Sequence, residues 1–115
     1  AILAAIIAPR FTSQIPKARL SQAKANLSNI RTAIGLYQAD IGSFPTSLWD
    51  LVSRGYMRNI PGESISDPNG RSNNSSGSSL SGSGGWYYYA ATGDVRCNVG
   101  SYKLPDGTYE YPTSW

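Results

Sequence analysis

The side chains that usually carry acid–base, nucleophilic or metal chemistry are scarce in this sequence. It has no histidine and a single cysteine, Cys97, which excludes a disulfide within the chain. Histidine is the commonest general base and the commonest transition-metal ligand, so the residue that usually fills each of these roles is absent. No nucleophile stands beside a base, no glycine-rich phosphate loop follows a strand, and no two carboxylates share a helix face. The sequence therefore argues against an enzyme.

Basic residues are the next candidates, because they are concentrated in the first third of the chain. Up to Asp40 the sequence has five basic residues and one acid, whereas the remainder is nearly neutral. A basic stretch behind an apolar end can lie against anionic lipid or pair with acids on neighbouring helices. Five charges spread around a helix are a weak footprint for nucleic acid, so no nucleic-acid partner is expected. The five residues are Arg10, Lys17, Arg19, Lys24 and Arg31.

The apolar end consists of the first eight residues, which lead directly into Pro9. As a helix they would span about 12 Å, well short of the roughly 30 Å hydrocarbon core of a membrane. We therefore expect them to be the end of a longer membrane segment, the rest of which precedes Ala1. Apolar surface on all sides of a helix needs lipid or sister subunits to cover it.

Behind Pro9 the apolar spacing becomes helical and continues to about residue 41. The spacing alternates between three and four, which predicts a stripe packed on the chain's own domain. Pro9 and Pro16 each remove a backbone hydrogen bond and are expected to kink or loosen the helix. Gly42 is the expected C-cap. The stripe consists of Leu20, Ala23, Leu27, Ile30, Ile34, Tyr37 and Ile41.

Two shorter segments follow the long helix. Residues 47–54 predict a second helix with Ser47 as its N-cap and Asp50 completing an acid variant of the capping box. The Ser- and Gly-rich segment 71–85 has too few apolar side chains to offset its ordering entropy, which predicts a flexible surface loop. It also contains two overlapping Asn-x-Ser glycosylation sequons. The apolar side of the second helix is expected to be Leu48, Trp49, Leu51 and Val52.

Residues 86–111 predict a C-terminal antiparallel sheet made of two hairpins, because strand-like runs flank turn sequences. Alternation along the second run places Val95, Cys97 and Val99 on one face, with Arg96 and Asn98 on the other. The fold class is therefore α+β, in which the small sheet covers the stripe of the long helix. The four runs are 86–90, 95–99, 102–104 and 108–111.

Two motifs carry a resemblance to a known family. Leu3-Ala-Ala-x-x-x-Pro9 ends the apolar segment, and Tyr37-x-x-Asp40-x-Gly-x-Phe-Pro45 ends the long helix. Together they resemble the type IV pilin superfamily, and most closely the major pseudopilins of type II secretion systems. The resemblance covers roughly the first half of the chain.

This resemblance implies a pilin-like ladle, with residues 1–19 as the filament-core and membrane half of the helix and 20–115 as the globular domain. It also implies a start before Ala1 that is cut by prepilin peptidase and often methylated. The protein would lie in the bacterial inner membrane before assembly and in a periplasmic or cell-surface filament afterwards. Its partners would be other copies of itself, an inner-membrane assembly platform, and minor pilins or pseudopilins.

Several site residues are implied by the same resemblance. Major pseudopilins often bind calcium through C-terminal aspartates, and the candidates here are Asp94, Asp106 and Glu110, with backbone carbonyls adding oxygen ligands. The five basic residues of the helix would select register between subunits. The filament core would be lined by Ile2, Leu3, Ile6, Ile7, Pro9, Phe11 and Ile15.

Two alternative functions remain open at this point. A major type IV pilin of a surface pilus would serve adhesion, motility or DNA uptake, although many such pilins have a C-terminal disulfide that one cysteine cannot form. A minor pilin could use the eight tyrosines and three tryptophans to stack on bases or sugars. We expect most of these aromatic side chains in the sheet core and in cross-strand pairs.

Overall fold

The computed structural model describes residues 2–67, 71–104 and 106–115, with side chains from Lys17 onward. Within these ranges the fold is α+β, as predicted, with one long N-terminal helix and small sheets. Its elements are α1 (Ile2–Ile41), α2 (Trp49–Ser53), β1 (Ser76–Gly77), β2 (Trp86–Tyr89), β3 (Asp94–Cys97), β4 (Tyr102–Lys103), β5 (Tyr109–Glu110) and a 3₁₀-helix (Pro112–Ser114).

One face of α1 is buried by the domain from Leu20 to Tyr37, because its apolar residues recur at helical spacing. The predicted stripe is confirmed except at Ile41, which is 41% exposed because the helix ends there, beyond the part of the domain that covers it. Ala33, outside the predicted stripe, is also buried. The stripe forms one buried cluster with side chains of β2 and β3, among them the fully buried Trp86.

The C-terminal end of α1 is the one predicted. Gly42 has φ +88°, a left-handed conformation that glycine adopts without strain, and its N–H donates to the carbonyl of Gln38 at 2.8 Å. The helix is assigned without interruption through Pro9 and Pro16, so neither proline ends it. A kink at these two residues stays a prediction.

Helix α2 is shorter than the predicted 47–54, and the predicted cap at Ser47 is wrong. No side chain caps this helix. The Asp50 carboxylate instead reaches back to Thr46, accepting hydrogen bonds from its backbone N–H at 3.0 Å and from its hydroxyl. These bonds hold the pKa of Asp50 below its ordinary value, and the bond from the hydroxyl has the larger effect.

The apolar side of α2 is confirmed only in part. Leu48 and Leu51 are buried and Val52 packs against the core, but Trp49 is 50% exposed, so its predicted core position is wrong. At about 100° per residue, Trp49 lies nearly opposite Leu51 on the helix. It therefore faces away from the core that buries Leu51.

The strands form two separate sheets rather than one antiparallel sheet. Both predicted hairpins are confirmed: β2 pairs with β3 and β4 pairs with β5, each antiparallel. The unpredicted strand β1 lies parallel to β2, which makes the first sheet mixed. The prediction of one sheet is wrong because the chain leaves the first hairpin at Val99 and pairs with itself again only at β4.

The Ser- and Gly-rich segment 71–85 is hydrogen-bonded to the rest of the domain. Asn98, the residue that follows β3, is 3% exposed. Its side chain accepts from the N–H of Gly82 and donates to the carbonyl of Ser79, both at 3.0 Å. These bonds attach the segment to the end of β3, which explains why a polar side chain is buried there. The flexibility of the segment stays a prediction.

Candidate assembly surface

Arg31, predicted to act between subunits, is engaged within its own chain. One guanidinium nitrogen donates to the carbonyl of Val95 at 3.1 Å and to the carbonyl of Trp115 at 2.6 Å. Arg96 holds the same segment from the sheet, donating to the carbonyl of Thr113 at 3.3 Å. Arginine suits this position because its planar group carries several donors in a fixed arrangement. Arg31 therefore fastens the C-terminal segment to α1.

Lys24, about two turns before Arg31 on α1, also contacts the C-terminal part of the chain. Its ammonium lies 3.8 Å from a Glu110 carboxylate oxygen and 5.0 Å from the centre of the Trp115 ring. Both partners of the ion pair are well exposed, so the pair contributes little to stability. An inter-subunit role stays a prediction for all five basic residues of the helix, and the side chain of Arg10 lies outside the described residues.

The three predicted calcium ligands lie in three different local environments. Asp94 accepts a hydrogen bond from Arg96 at 3.0 Å, and Glu110 pairs with Lys24. Asp106 accepts from the N–H of Thr108 at 3.0 Å and from its hydroxyl at 2.6 Å, an ordinary turn arrangement. Among the described residues, no group of three or more His, Cys, Asp or Glu could hold a metal ion. Calcium binding stays a prediction from the resemblance.

The motif that ends α1 forms a compact junction with α2. The hydroxyl of Tyr56 donates to the Asp40 carboxylate at 2.9 Å, and the Tyr56 ring lies 5.3 Å from that of Tyr37. The guanidinium of Arg54 lies 5.8 Å from the centre of the Tyr37 ring. These contacts give Tyr37 and Asp40 structural roles, since they fix α1 to the segment after α2.

The end of the same motif connects this junction to the first hairpin. The buried Tyr88 hydroxyl donates to the carbonyl of Pro45 at 2.5 Å, and burial raises the pKa of Tyr88 to about 12. Gly93, at φ +71°, lies so close to the Phe44 ring that a side chain there would overlap it. The hairpin turn therefore rests directly on the loop between α1 and α2.

Sequence reasoning missed Glu63, the fully buried acid of the domain. Its carboxylate accepts from the N–H groups of Ile65, Ser66 and Gly85, each at 2.9 Å, and from the Ser66 hydroxyl. Its backbone pairs in both directions with that of Asn73. Hydrogen bonds to four donors compensate the burial of a charge. The only sequence signal was an acid between a Pro-Gly turn and an Asp-Pro turn, which gives no information about its distant partners.

Cys97 is a buried free cysteine whose thiol is expected to have low reactivity. Burial, assisted by the neighbouring charge of Glu63, raises the pKa of its thiol to about 12. Since the thiolate is the reactive form, burial and the raised pKa both lower the reactivity expected of this thiol.

An open groove runs along one side of α1. It has a volume of about 490 Å³ and lies between residues 29–36 of the helix and residues 56–61 of the following loop. Leu36, 55% exposed, and Met57 supply apolar surface, and Arg58 supplies a positive charge. We call this feature the α1 groove.

A second exposed surface lies on the β4–β5 hairpin. Tyr109 and Tyr111 are 53% and 56% exposed, so these two tyrosines do not belong to a buried core. Alternation along the strand turns both away from Glu110, which faces Lys24 on α1. Asp106 lies in the turn of the same hairpin and is also exposed. We call Asp106, Tyr109 and Tyr111 the hairpin patch.

The predicted filament-core side chains, from Ile2 to Ile15, lie outside the described part of the chain. Among the residues that were described, no helix combines the length and the apolar character that crossing a membrane requires. Comparison with protein-family models, curated proteins and solved structures gives no match.

Proposed function

We propose that this chain is a structural subunit of a pilus-like filament, that it polymerises through the N-terminal half of α1, and that it is not an enzyme. This proposal rests on one observation, the difference between the two halves of α1. From Leu20 to Tyr37 a single face is buried by the chain's own domain. The first eight residues, by contrast, are apolar on every side, which a one-sided core cannot use.

Burial of apolar side chains would drive assembly. Side chains such as Ile2, Leu3 and Ile6 gain about 25 cal/mol for each Å² removed from water. Between helices that already lie in lipid the gain is smaller and depends on packing. In the filament, the N-terminal helix halves would lie side by side in the centre and the α+β domains would form the outer layer.

Within this class we propose a pseudopilin of a type II secretion system, processed in the inner membrane and assembled by its platform. The support is the resemblance of the two helix motifs, together with the lone, buried Cys97, which cannot close a C-terminal disulfide. A major pilin of a surface pilus is the alternative, because Trp49, Tyr89 and the two hairpin tyrosines present aromatic surface of the kind adhesion uses.

One fractionation experiment tests both proposals. Fibres would be sheared from producing cells, and this protein would be quantified by mass spectrometry in the sheared, envelope and soluble fractions. Retention in the envelope, with loss of extracellular enzymes when the gene is deleted, supports the pseudopilin. Abundant protein in the sheared fibres supports the surface pilus. A monomeric protein confined to the soluble fraction contradicts both.

A further inference from the structure

The α1 groove and the hairpin patch lie at different heights on the molecule. The hairpin runs beside Lys17 and Lys24, since Glu110 pairs with Lys24 and the charge of Lys17 acts on Asp106. The groove is lined by residues 29–36 of the same helix. The midpoints of the two stretches are about twelve residues apart, or about 18 Å at the helical rise of about 1.5 Å per residue.

The two surfaces also face different directions. Each residue turns an α-helix by about 100°, so the groove residues lie about 120° around α1 from the side that carries Lys17 and Lys24. The hairpin patch of one molecule therefore cannot reach its own groove. Contact between them requires two copies. Because the two surfaces differ in both height and angle, the same contact repeated from copy to copy builds an open helical filament and not a closed ring.

The chemistry of the two surfaces is complementary. The groove has the apolar side chains Leu36 and Met57 and one charged residue, the exposed Arg58. The hairpin patch presents two half-exposed tyrosines and the exposed Asp106. The hydrogen bonds from Thr108 lower the pKa of Asp106, so its carboxylate is ionised at neutral pH. Aromatic anchors in a groove with a charge pair at the rim are typical of specific interfaces.

We propose that the hairpin patch of one subunit docks in the α1 groove of the next copy of this chain, with Asp106 facing Arg58. This inference rests on the proposed filament function and adds to it a second contact, between domains, that sets the register of the subunits. The exposed side chains of Leu36, Tyr109 and Tyr111 become buried in this contact. The axial offset between neighbours that make it is about 18 Å.

Charge reversal tests the pairing in filaments made by the full chain in producing cells. D106R and R58D alone should each lower filament yield about tenfold or more, because like charges then face each other. Combining D106R with R58D should restore most of the yield. R71D is the control, because Arg71 lies on the Ser- and Gly-rich segment, and it should leave the yield unchanged. Single variants that assemble like the wild type, or a double variant that restores nothing, would overturn the proposal.

Cross-linking gives an independent measurement, since charge reversal beside Lys17 could disturb the hairpin. L36C and Y111C, placed in the same chain and treated with a short bifunctional thiol reagent, should produce a ladder of covalent multimers. The buried Cys97 does not compete. L36C combined with Y89C is the matched control and should give no ladder. Wild-type filaments without a Leu36–Tyr111 ladder overturn this contact alone, whereas absence of wild-type filaments overturns the proposed function as well.

Discussion

Arg31, in the C-terminal half of α1, donates a hydrogen bond at 2.6 Å to the backbone carbonyl of Trp115, eighty-four positions later in the chain. The same nitrogen reaches the carbonyl of Val95 in β3 at 3.1 Å. One side chain thus connects the long helix, the first sheet and the C-terminal segment. The role between subunits that the resemblance implies for Arg31 stays a prediction beside these contacts within the chain.

Replacing Arg31 by alanine should lower the free energy of unfolding by about 1–2 kcal/mol, because hydrogen bonds from a charged donor are lost at an exposed site. Urea unfolding followed by tryptophan fluorescence measures this change. R19A is the matched control, since Arg19 has no hydrogen bond or ion pair among the described contacts, and it should change stability by less than about 0.5 kcal/mol. Equal effects of the two substitutions would contradict the role of Arg31.

Replacing Gly93 by alanine should be costly for two reasons. Its φ of +71° strains any residue with a Cβ, and that Cβ would overlap the Phe44 ring. Together these effects should lower the free energy of unfolding by about 2–3 kcal/mol. G107A isolates the backbone strain, because Gly107 has φ +92° with no atom within 4 Å of the added carbon. It should cost about 1 kcal/mol.

Glu63 gives a prediction about the Ser- and Gly-rich segment. E63Q keeps the shape but places an amide NH₂ where donors of the chain already point, so it should lower the free energy of unfolding by about 2–3 kcal/mol. Hydrogen exchange at Gly85 should also accelerate, because the Gly85 N–H donates to this carboxylate. E110Q is the control: its exposed ion pair should be worth less than about 1 kcal/mol. Unchanged exchange at Gly85 in E63Q would show that Glu63 does not hold the segment.

The buried Tyr88 hydroxyl predicts a specific dependence on alkaline pH. The folded chain raises the pKa of Tyr88 to about 12, above its ordinary value of 10.0. The resulting stabilisation is fully present below pH 10.0 and is lost as the pH rises toward the folded value, because the unfolded chain ionises first.

Tyr88→Phe removes this titration. At neutral pH the variant should be less stable than the wild type by about 1 kcal/mol, because the Pro45 carbonyl loses its donor. That difference should shrink as the pH rises above about 10, since only the wild type loses the contribution of Tyr88. Free energies of unfolding measured across this pH range decide the matter. A difference that stays constant with pH would contradict the burial of the hydroxyl.

The features that sequence patterns predicted correctly depend on neighbours in the chain. The stripe from Leu20 to Tyr37 follows from helical spacing, and the end at Gly42 follows from the need for a left-handed residue. Both hairpins follow from turn residues between strand-like runs. The exposed positions of Ile41 and Trp49 were mispredicted because periodicity does not show where the covering domain ends.

The features that were missed depend on distant residues. Strand β1 exists because Ser76 and Gly77 pair with β2, although neither residue favours a strand. Glu63 and Asn98 are buried because their partners arrive from other parts of the chain. A polar residue in a sequence predicts exposure, and only the folded chain shows that its hydrogen bonds are satisfied inside.

Ile6 offers the most direct test of the central claim, that the first part of α1 drives assembly. I6R should leave the domain folded, with the same circular dichroism as the wild type, and should abolish filaments seen by electron microscopy with an antibody against the domain. A25R is the control. It introduces the same charge at an exposed position of α1, on the face opposite the one that the domain covers, and it should assemble normally. Filaments of wild-type abundance from I6R would contradict the account, whereas loss in I6R alone would support it.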